Sequence, residues 1–181
     1  MSMDRELIVL LNADLSPKGV AGKADAHNHC TPMHLGFSLY LFNERGDVLL
    51  SRRSLSKGTW PGTWSNSCCG HPGPGEAIAE AATRRCREEL GTEPLSLRLA
   101  LADFRYECAD SSGIRENEYC PTFLARFSGR MSPNPREVQE FAWTSWEGLR
   151  AVASGAPFLL SPWCVAQVAL LETEVKEFLF A

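Results

Sequence analysis

Apolar and polar positions along this chain change period several times, and each change marks an element. ELIVLLN, residues 6–12, is an apolar run that predicts a first strand, followed by a turn in ADLSPKG. LGFSLYLFN, residues 35–43, alternates as a buried strand does. ERGD, 44–47, predicts a hairpin turn, and VLLSRR, 48–53, its returning partner. SLSKGTWPGTWSNSCCGHPGPG is rich in Gly, Pro and Ser and predicts no regular element. The period then becomes helical. EAIAEAATRRCREELG, 76–91, is rich in helix formers, begins acidic and ends in Gly91. Its pairs Glu80–Arg84, Arg84–Glu88 and Arg85–Glu89 stand four apart, which on charge alone reads as a solvated, salt-bridged face. LRLALADFRYECA, 97–109, and YCPTFLARF, 119–127, predict strands around a turn at 111–113. FAWTSWEGLRAVASG predicts a strand end and then a helix, with Thr144 and Glu147 at capping-box spacing. SPWCVAQVALLETEVKEFLF, 161–180, predicts one C-terminal helix. This order suggests one α/β domain, a mixed sheet with helices on both faces.

Composition adds limits. A chain of 181 residues suits one domain, and 44% hydrophobic with 22% charged residues is usual for a folded soluble protein. A net charge of −4 argues against a nucleic-acid partner, which needs a broad basic surface. It leaves room for a local Arg and Lys cluster around a small anion. No apolar run approaches the roughly 18 residues of a membrane span, so no membrane partner is expected. MSMDRELIVLLNADLS makes a poor export signal. The seven cysteines, at 30, 68, 69, 86, 108, 120 and 164, are odd in number and form no CxxC pair. Free thiols in a reducing cytoplasm are expected, most of them as small core residues. With no interface signal, monomer is the default.

Three groups of residues carry chemistry. Of the four histidines, His27, His29 and His34 crowd into HNHCTPMH and His71 follows Cys69. Imidazole suits transition metals, but the spacing matches no tight metal signature and a lone His is usually structural. In GIRENEYC, Glu116 and Glu118 fall on one side of an extended strand. There they repel unless a cation or proton lies between them, the alternative being a solvated face. His plus carboxylate ligands favour Mn, Zn or Fe over Mg alone. In SRRSLSKGTW, Arg52, Arg53 and Lys57 suit either an anion-binding loop or plain surface solubility.

The segment from Gly70 resembles the Nudix box, with Gly70, Glu76, Arg84, Cys86, Glu88, Glu89 and Gly91 in register. Arg85 stands where the hydrolase pattern has a metal-binding Glu, which puts hydrolysis in doubt but not the fold. Taken together, WPGTWSNSCCGHP, RRCREELG, DFRYECAD, ENEYCP and SPWC resemble the type I isopentenyl-diphosphate isomerase family, from about residue 5 to about residue 170. The resemblance implies an α/β fold, a Nudix-like mixed β-sheet sandwiched between helices. It would form a single domain over 1–181, with 1–35 an N-terminal extension contributing metal and substrate contacts. The implied activity is metal-dependent interconversion of isopentenyl and dimethylallyl diphosphate through a carbocation-like intermediate, in isoprenoid precursor biosynthesis. A Nudix-type pyrophosphohydrolase is the rival.

By position, the resemblance makes Cys69, Glu118 and Tyr106 catalytic, with Cys68 left to packing. A divalent transition metal, Mn, Zn or similar, falls to His27, His34, His71, Glu116 and Glu118, with His29 excluded. Glu89 holds a second ion, Mg²⁺, on the substrate diphosphate, and Cys69 is included among the metal-binding positions. Lys23, Arg53, Lys57 and Arg85 bind the diphosphate, and Trp163 shields the carbon skeleton. The implied partner is therefore a small isoprenoid diphosphate. This chemistry wants an acid on one face of an alkene and a base on the other. A thiol titrating near ~8.5 and a carboxylic acid near ~4.3 serve only if the site retunes at least one.

Overall fold

The computed structural model describes residues 6–180. β1 (Leu7–Leu11) and β2 (Pro17–Gly22) form an antiparallel hairpin, so the expected turn after residue 12 also holds a strand. The reversal itself needs few residues, because Asp14 accepts hydrogen bonds from the Ser16 amide and hydroxyl at 3.0 and 2.6 Å. Pro17 opens an edge strand, where its missing N–H costs nothing. A single turn, α1 (Lys23–Ala26), leads to β3 (His34–Leu35), β4 (Phe37–Phe42) and β5 (Val48–Arg53).

The stretch expected to be irregular carries two short strands, β6 (Trp64–Ser65) and β7 (Cys68–Gly70). Elements this short have no period to read, and side chains from elsewhere fix them. Ser67 Oγ donates to Leu49 O at 2.7 Å and accepts from Leu41 N at 2.8 Å. α2 (Ile78–Leu90) starts two residues later than expected, because Glu76 turns back to accept from Gly73 N at 2.8 Å and to pair with Arg84 at 2.7 Å. It ends at Gly91 with φ 64°, and a Cβ there would also lie 2.5 Å from Ser132 O. The next region holds four strands rather than two: β8 (Leu95–Leu101), β9 (Arg105–Ala109), β10 (Arg115–Tyr119) and β11 (Thr122–Arg126). Pro121, which has no N–H for a ladder, separates the last two.

β12 (Val138–Thr144) precedes α3 (Trp146–Gly155). The α3 cap is Ser145, whose hydroxyl accepts from Gly148 N at 3.0 Å, one residue beyond the expected Thr144. After a 3-10 turn at Pro157–Leu159, the expected single C-terminal helix is two, α4 (Pro162–Leu170) and α5 (Glu172–Phe180). Leu171 breaks the helix and is fully buried, so the bend folds α5 back onto the core. No helix among the described residues is long and apolar enough to cross a membrane.

The strands form two sheets where one was expected, ordered β2-β1-β3-β10-β9 and β12-β5-β4-β11-β8, with β6 and β7 paired to β5 and β4. They share a parallel seam, because β3 runs along β10 and β4 along β11. β4 shows how the core divides. Phe37, Leu39 and Leu41 meet α2, while Tyr40 and Phe42 meet α3, α4 and α5. Helices thus cover both faces of the larger sheet, and the smaller sheet projects from its seam to build the site.

Candidate active site

The parallel register of β3 and β10 sets His34 opposite Glu118, and the two-residue period of β10 brings Glu116 to the same side. His27 arrives at the end of α1 and His71 at the end of β7. One ligating atom from each of these five residues lies within 4.8 Å of all the others. Nε2 of His27 is 2.9 Å from Glu116 Oε2, and Nε2 of His71 is 3.0 Å from Glu118 Oε1. His34 Nε2 stands 3.5 Å from Glu118 Oε1 and 4.0 Å from Glu116 Oε2.

Hydrogen bonds around the cluster orient it. Nδ1–H of His27 donates to Lys23 O at 2.8 Å and that of His34 to Pro32 O at 2.9 Å, which leaves both Nε2 lone pairs aimed inward. Thr59 Oγ1 donates to Glu116 Oε1 at 3.0 Å. What remains is telling. His27 Nε2, His34 Nε2, His71 Nδ1 and Glu116 Oε2 are buried without a hydrogen-bond partner. Each such orphan costs about 1–3 kcal/mol, and a divalent cation satisfies imidazole and carboxylate lone pairs together. The residues therefore fit a divalent metal. His29 lies outside the cluster and bonds Gly113 O at 2.9 Å.

Burial alone would raise the Glu118 carboxyl, but the adjoining His34 and His71 rings outweigh it and hold the group well below the usual carboxylate range. Gly36 makes room for it, since a Cβ at that position would lie 2.7 Å from Glu118 Cδ. Tyr106 stands across from Glu118 in the β9–β10 register. Burial, reinforced by Glu118 and Glu116, pushes its phenol well up.

β7 turns its two thiols to opposite sides. Cys68 enters the core under α2, as expected, and Cys69 lines the cavity. Cys69 Sγ donates to Asn66 Oδ1 at 3.1 Å, and burial pushes the thiol up to about 11. Asn66 Oδ1 also accepts from Trp163 Nε1 at 3.1 Å, so one side chain holds both the sulfur and the indole. The Trp163 ring lies 5.6 Å from Tyr106 and 5.3 Å from Trp60, centroid to centroid.

A cavity of about 660 Å³ gathers most of the expected residues. Lys23, His27, Arg53, Lys57, Cys69, His71, Glu89, Tyr106, Glu116, Glu118 and Trp163 all line it. His34 sits behind the lining, fully buried. Lys23 pairs with Glu6 at 3.0 Å, and Lys57 with Glu137 and, at 3.9 Å, with Glu89. Arg53 donates to Thr59 O at 2.9 Å and lies 5.8 Å from the Trp163 ring centroid. Arg85 is not among the lining residues. It is buried in ion pairs with Glu89, with Glu88 at 2.9 Å and with Glu137 at 3.3 Å, so the solvated reading of α2 fails at 85 and 89. Glu6, Thr59, Asn66 and Glu137 belong to the site and were not anticipated. Of these, only Asn66 carried a local signal, as a polar residue two positions before the paired thiols.

Residues 32–162 match the NUDIX domain family. The isopentenyl-diphosphate Delta-isomerase of Mycolicibacterium vanbaalenii is 48% identical over 167 residues, covering 92% of each chain. That of Paenarthrobacter aurescens is 49% identical over 158 residues, covering 87% of this chain and 86% of the relative. Among solved structures, DR0079 from Deinococcus radiodurans superposes with a TM-score of 0.69 at 22% identity, over 91% of this chain and 98% of that one, a likeness of fold. With the thiol, the carboxylate and the histidine cluster in one cavity of a Nudix fold, and relatives of this identity along nearly the whole length, the chain belongs to the NUDIX domain family and, within it, to the isopentenyl-diphosphate Delta-isomerases.

Proposed function

We propose that the chain interconverts isopentenyl diphosphate and dimethylallyl diphosphate, adding and removing protons on the carbon skeleton from two sides of one cavity. The observation that carries this reading is the lining itself. It combines a thiol on β7, a carboxylate on β10 with a phenol beside it, an indole wall, and cations gathered at the diphosphate end. Toward dimethylallyl diphosphate, the Glu118–Tyr106 pair, entering with an exchangeable proton, delivers it to C4, which leaves positive charge at C3. Cys69, entering this direction as the thiolate, takes a proton from C2 and becomes the thiol that hydrogen-bonds Asn66, while the C2–H electron pair becomes the new double bond. The reverse direction swaps the roles. Trp163 offers its π face to the cationic carbon, worth about 0.5–2 kcal/mol, and with Trp60 and Tyr106 helps exclude water.

Lys23, Arg53 and Lys57 hold the diphosphate oxygens, which draw the lysines away from Glu6 and Glu137. Arg85 acts from behind through Glu89, the residue we assign to a substrate-bound Mg²⁺. His27, His34, His71, Glu116 and Glu118 would hold a transition ion such as Mn²⁺ or Zn²⁺. When bound, that ion fixes the Glu118 carboxyl and strengthens it as an acid. Lys23, His27 and His34 all come from residues 1–35, which we read as the metal- and substrate-binding extension of a single domain. Seven free cysteines suit work in a reducing cytoplasm.

Incubation with isopentenyl diphosphate in D₂O tests the proposal against the pyrophosphohydrolase reading. Deuterium is expected in the carbon skeleton, with no phosphate released. Phosphate release with an unlabelled skeleton would reverse the assignment. The metal assignment has its own test. Thr59→Val removes the hydroxyl that holds Glu116 Oε1 and is expected to weaken divalent-metal binding about 10–100-fold in chelator competition. An unchanged affinity would mean that the Thr59 hydroxyl does not orient Glu116 for the ion.

A further inference from the structure

Behind Cys69 runs a buried polar chain that no step above uses. Ser38 and Tyr40 stand two apart on β4 and share the face turned toward α4. The Tyr40 hydroxyl donates to Gln167 Oε1 at 3.0 Å, and Gln167 Nε2 donates to Ser38 Oγ at 2.9 Å. Ser38 Oγ lies 3.5 Å from Sγ of Cys69 and 3.5 Å from Sγ of Cys120. Ser38, Tyr40 and Gln167 all have 0% exposure, and leaving such groups unpaired is costly, so apolar residues would fill this part of the core more safely.

The chain has a direction. Gln167 Oε1 carries no hydrogen, so Tyr40 gives and the amide oxygen receives. Gln167 Nε2 then fills an acceptor position on Ser38, which leaves its single hydroxyl proton free for the sulfur of Cys69 or Cys120. The other partner of Cys69 has the opposite polarity. Asn66 Nδ2 is committed to Leu39 O at 3.2 Å and Cys68 O at 2.9 Å, so Asn66 Oδ1 can only accept. Cys69 therefore has an acceptor for its proton on one side and a donor for its bare sulfur on the other.

We propose that Ser38, aimed by Gln167 and Tyr40, is a positioning residue for the proton transfer at Cys69. Its hydroxyl supplies a hydrogen bond to the sulfur while the sulfur's own proton resides on the substrate carbon. The inference rests on the isomerase reading above, in which Cys69 exchanges a proton with C2.

Kinetics of four variants with isopentenyl diphosphate, unlabelled and deuterated at C2, test it. Ser38→Ala is expected to lower kcat about 10–100-fold, the size of a hydrogen bond to a charged group, with KM unchanged because the diphosphate end is untouched. The isotope effect on kcat grows as C2–H cleavage becomes slower, a change that a purely structural role would not produce. Gln167→Glu keeps the shape but accepts from Ser38, drawing its proton off the sulfur, and is expected to slow turnover in the same way. Gln167→Met removes the amide that aims Ser38 but leaves the hydroxyl proton free for sulfur, and is expected to slow turnover about 2–10-fold, less than Gln167→Glu does. Equal kcat and isotope effects in the Glu and Met variants would overturn the proposal, and that pair decides the matter even if Ser38→Ala does not fold. Cys69→Ser, run alongside, separates the two levels. A wild-type rate there removes the thiol from the mechanism. A dead Cys69→Ser beside an unperturbed Ser38→Ala removes only the role of Ser38.

Discussion

Glu118→Gln is expected to fold and to lose about 10²–10⁴-fold in turnover, the range that a positioned acid or base contributes. The amide is nearly isosteric and still reaches His71, which stands 3.0 Å away, so the β3–β10 seam survives. What it loses is a dissociable proton directed at the substrate. Cys69→Ala is expected to fall by a similar factor for the complementary reason, since it leaves Asn66 and Trp163 in place but removes the group that exchanges a proton with C2. The double variant is then expected to be no slower than the worse single, because either loss already interrupts one compulsory exchange. Proton NMR in D₂O reads the rates, and thermal melts confirm that each variant is folded. Wild-type rates in both singles, or losses that multiply in the double, would contradict the paired acid–base assignment.

The second large effect is on stability. Arg85→Ala is expected to cost about 3–5 kcal/mol, because it leaves the buried Glu89 carboxylate without its nearest cation and only Lys57 at 3.9 Å. Arg85 is itself held strongly charged. Burial would lower its guanidinium pKa, but Glu89 beside it outweighs this and drives it up. For a chain of this length the loss corresponds to a Tm drop on the order of 10 °C. Arg85→Ala combined with Glu89→Ala is expected to recover part of it, since no carboxylate is then stranded. A Tm within about 2 °C of wild type for the single variant would mean that the pair is solvated after all. The result also bears on the one departure from the Nudix pattern. A cation at 85 pairs with Glu88, Glu89 and Glu137, whereas a hydrolase needs carboxylates free to gather ions.

The strands at 35–43 and 48–53 and the long helix were legible in the chain because each spans enough residues to show its period. The strands at 64–65 and 68–70 were not, since two or three residues carry no period and partners on β4 and β5 define them. The C-terminal helix read as continuous because nothing local marks Leu171; its burial appears only once α5 has folded back. Ligand types were legible, but their convergence was not. HNHCTPMH and ENE are separated by more than eighty positions, and only the parallel register of His34 and Glu118 joins them. The family resemblance supplied that link in advance. It gave no hint of Thr59 or Glu137, which enter through long-range contacts with Glu116, Lys57 and Arg85.

β7 carries one further consequence. Two chemically identical side chains follow one another there, and only their parity decides which meets the ligand and which is sealed under a helix. That parity holds only while residues 68–70 keep their register on β4. A slip by one would hand the reactive position to the other sulfur and turn Cys69 into packing, with the composition of the protein unaltered.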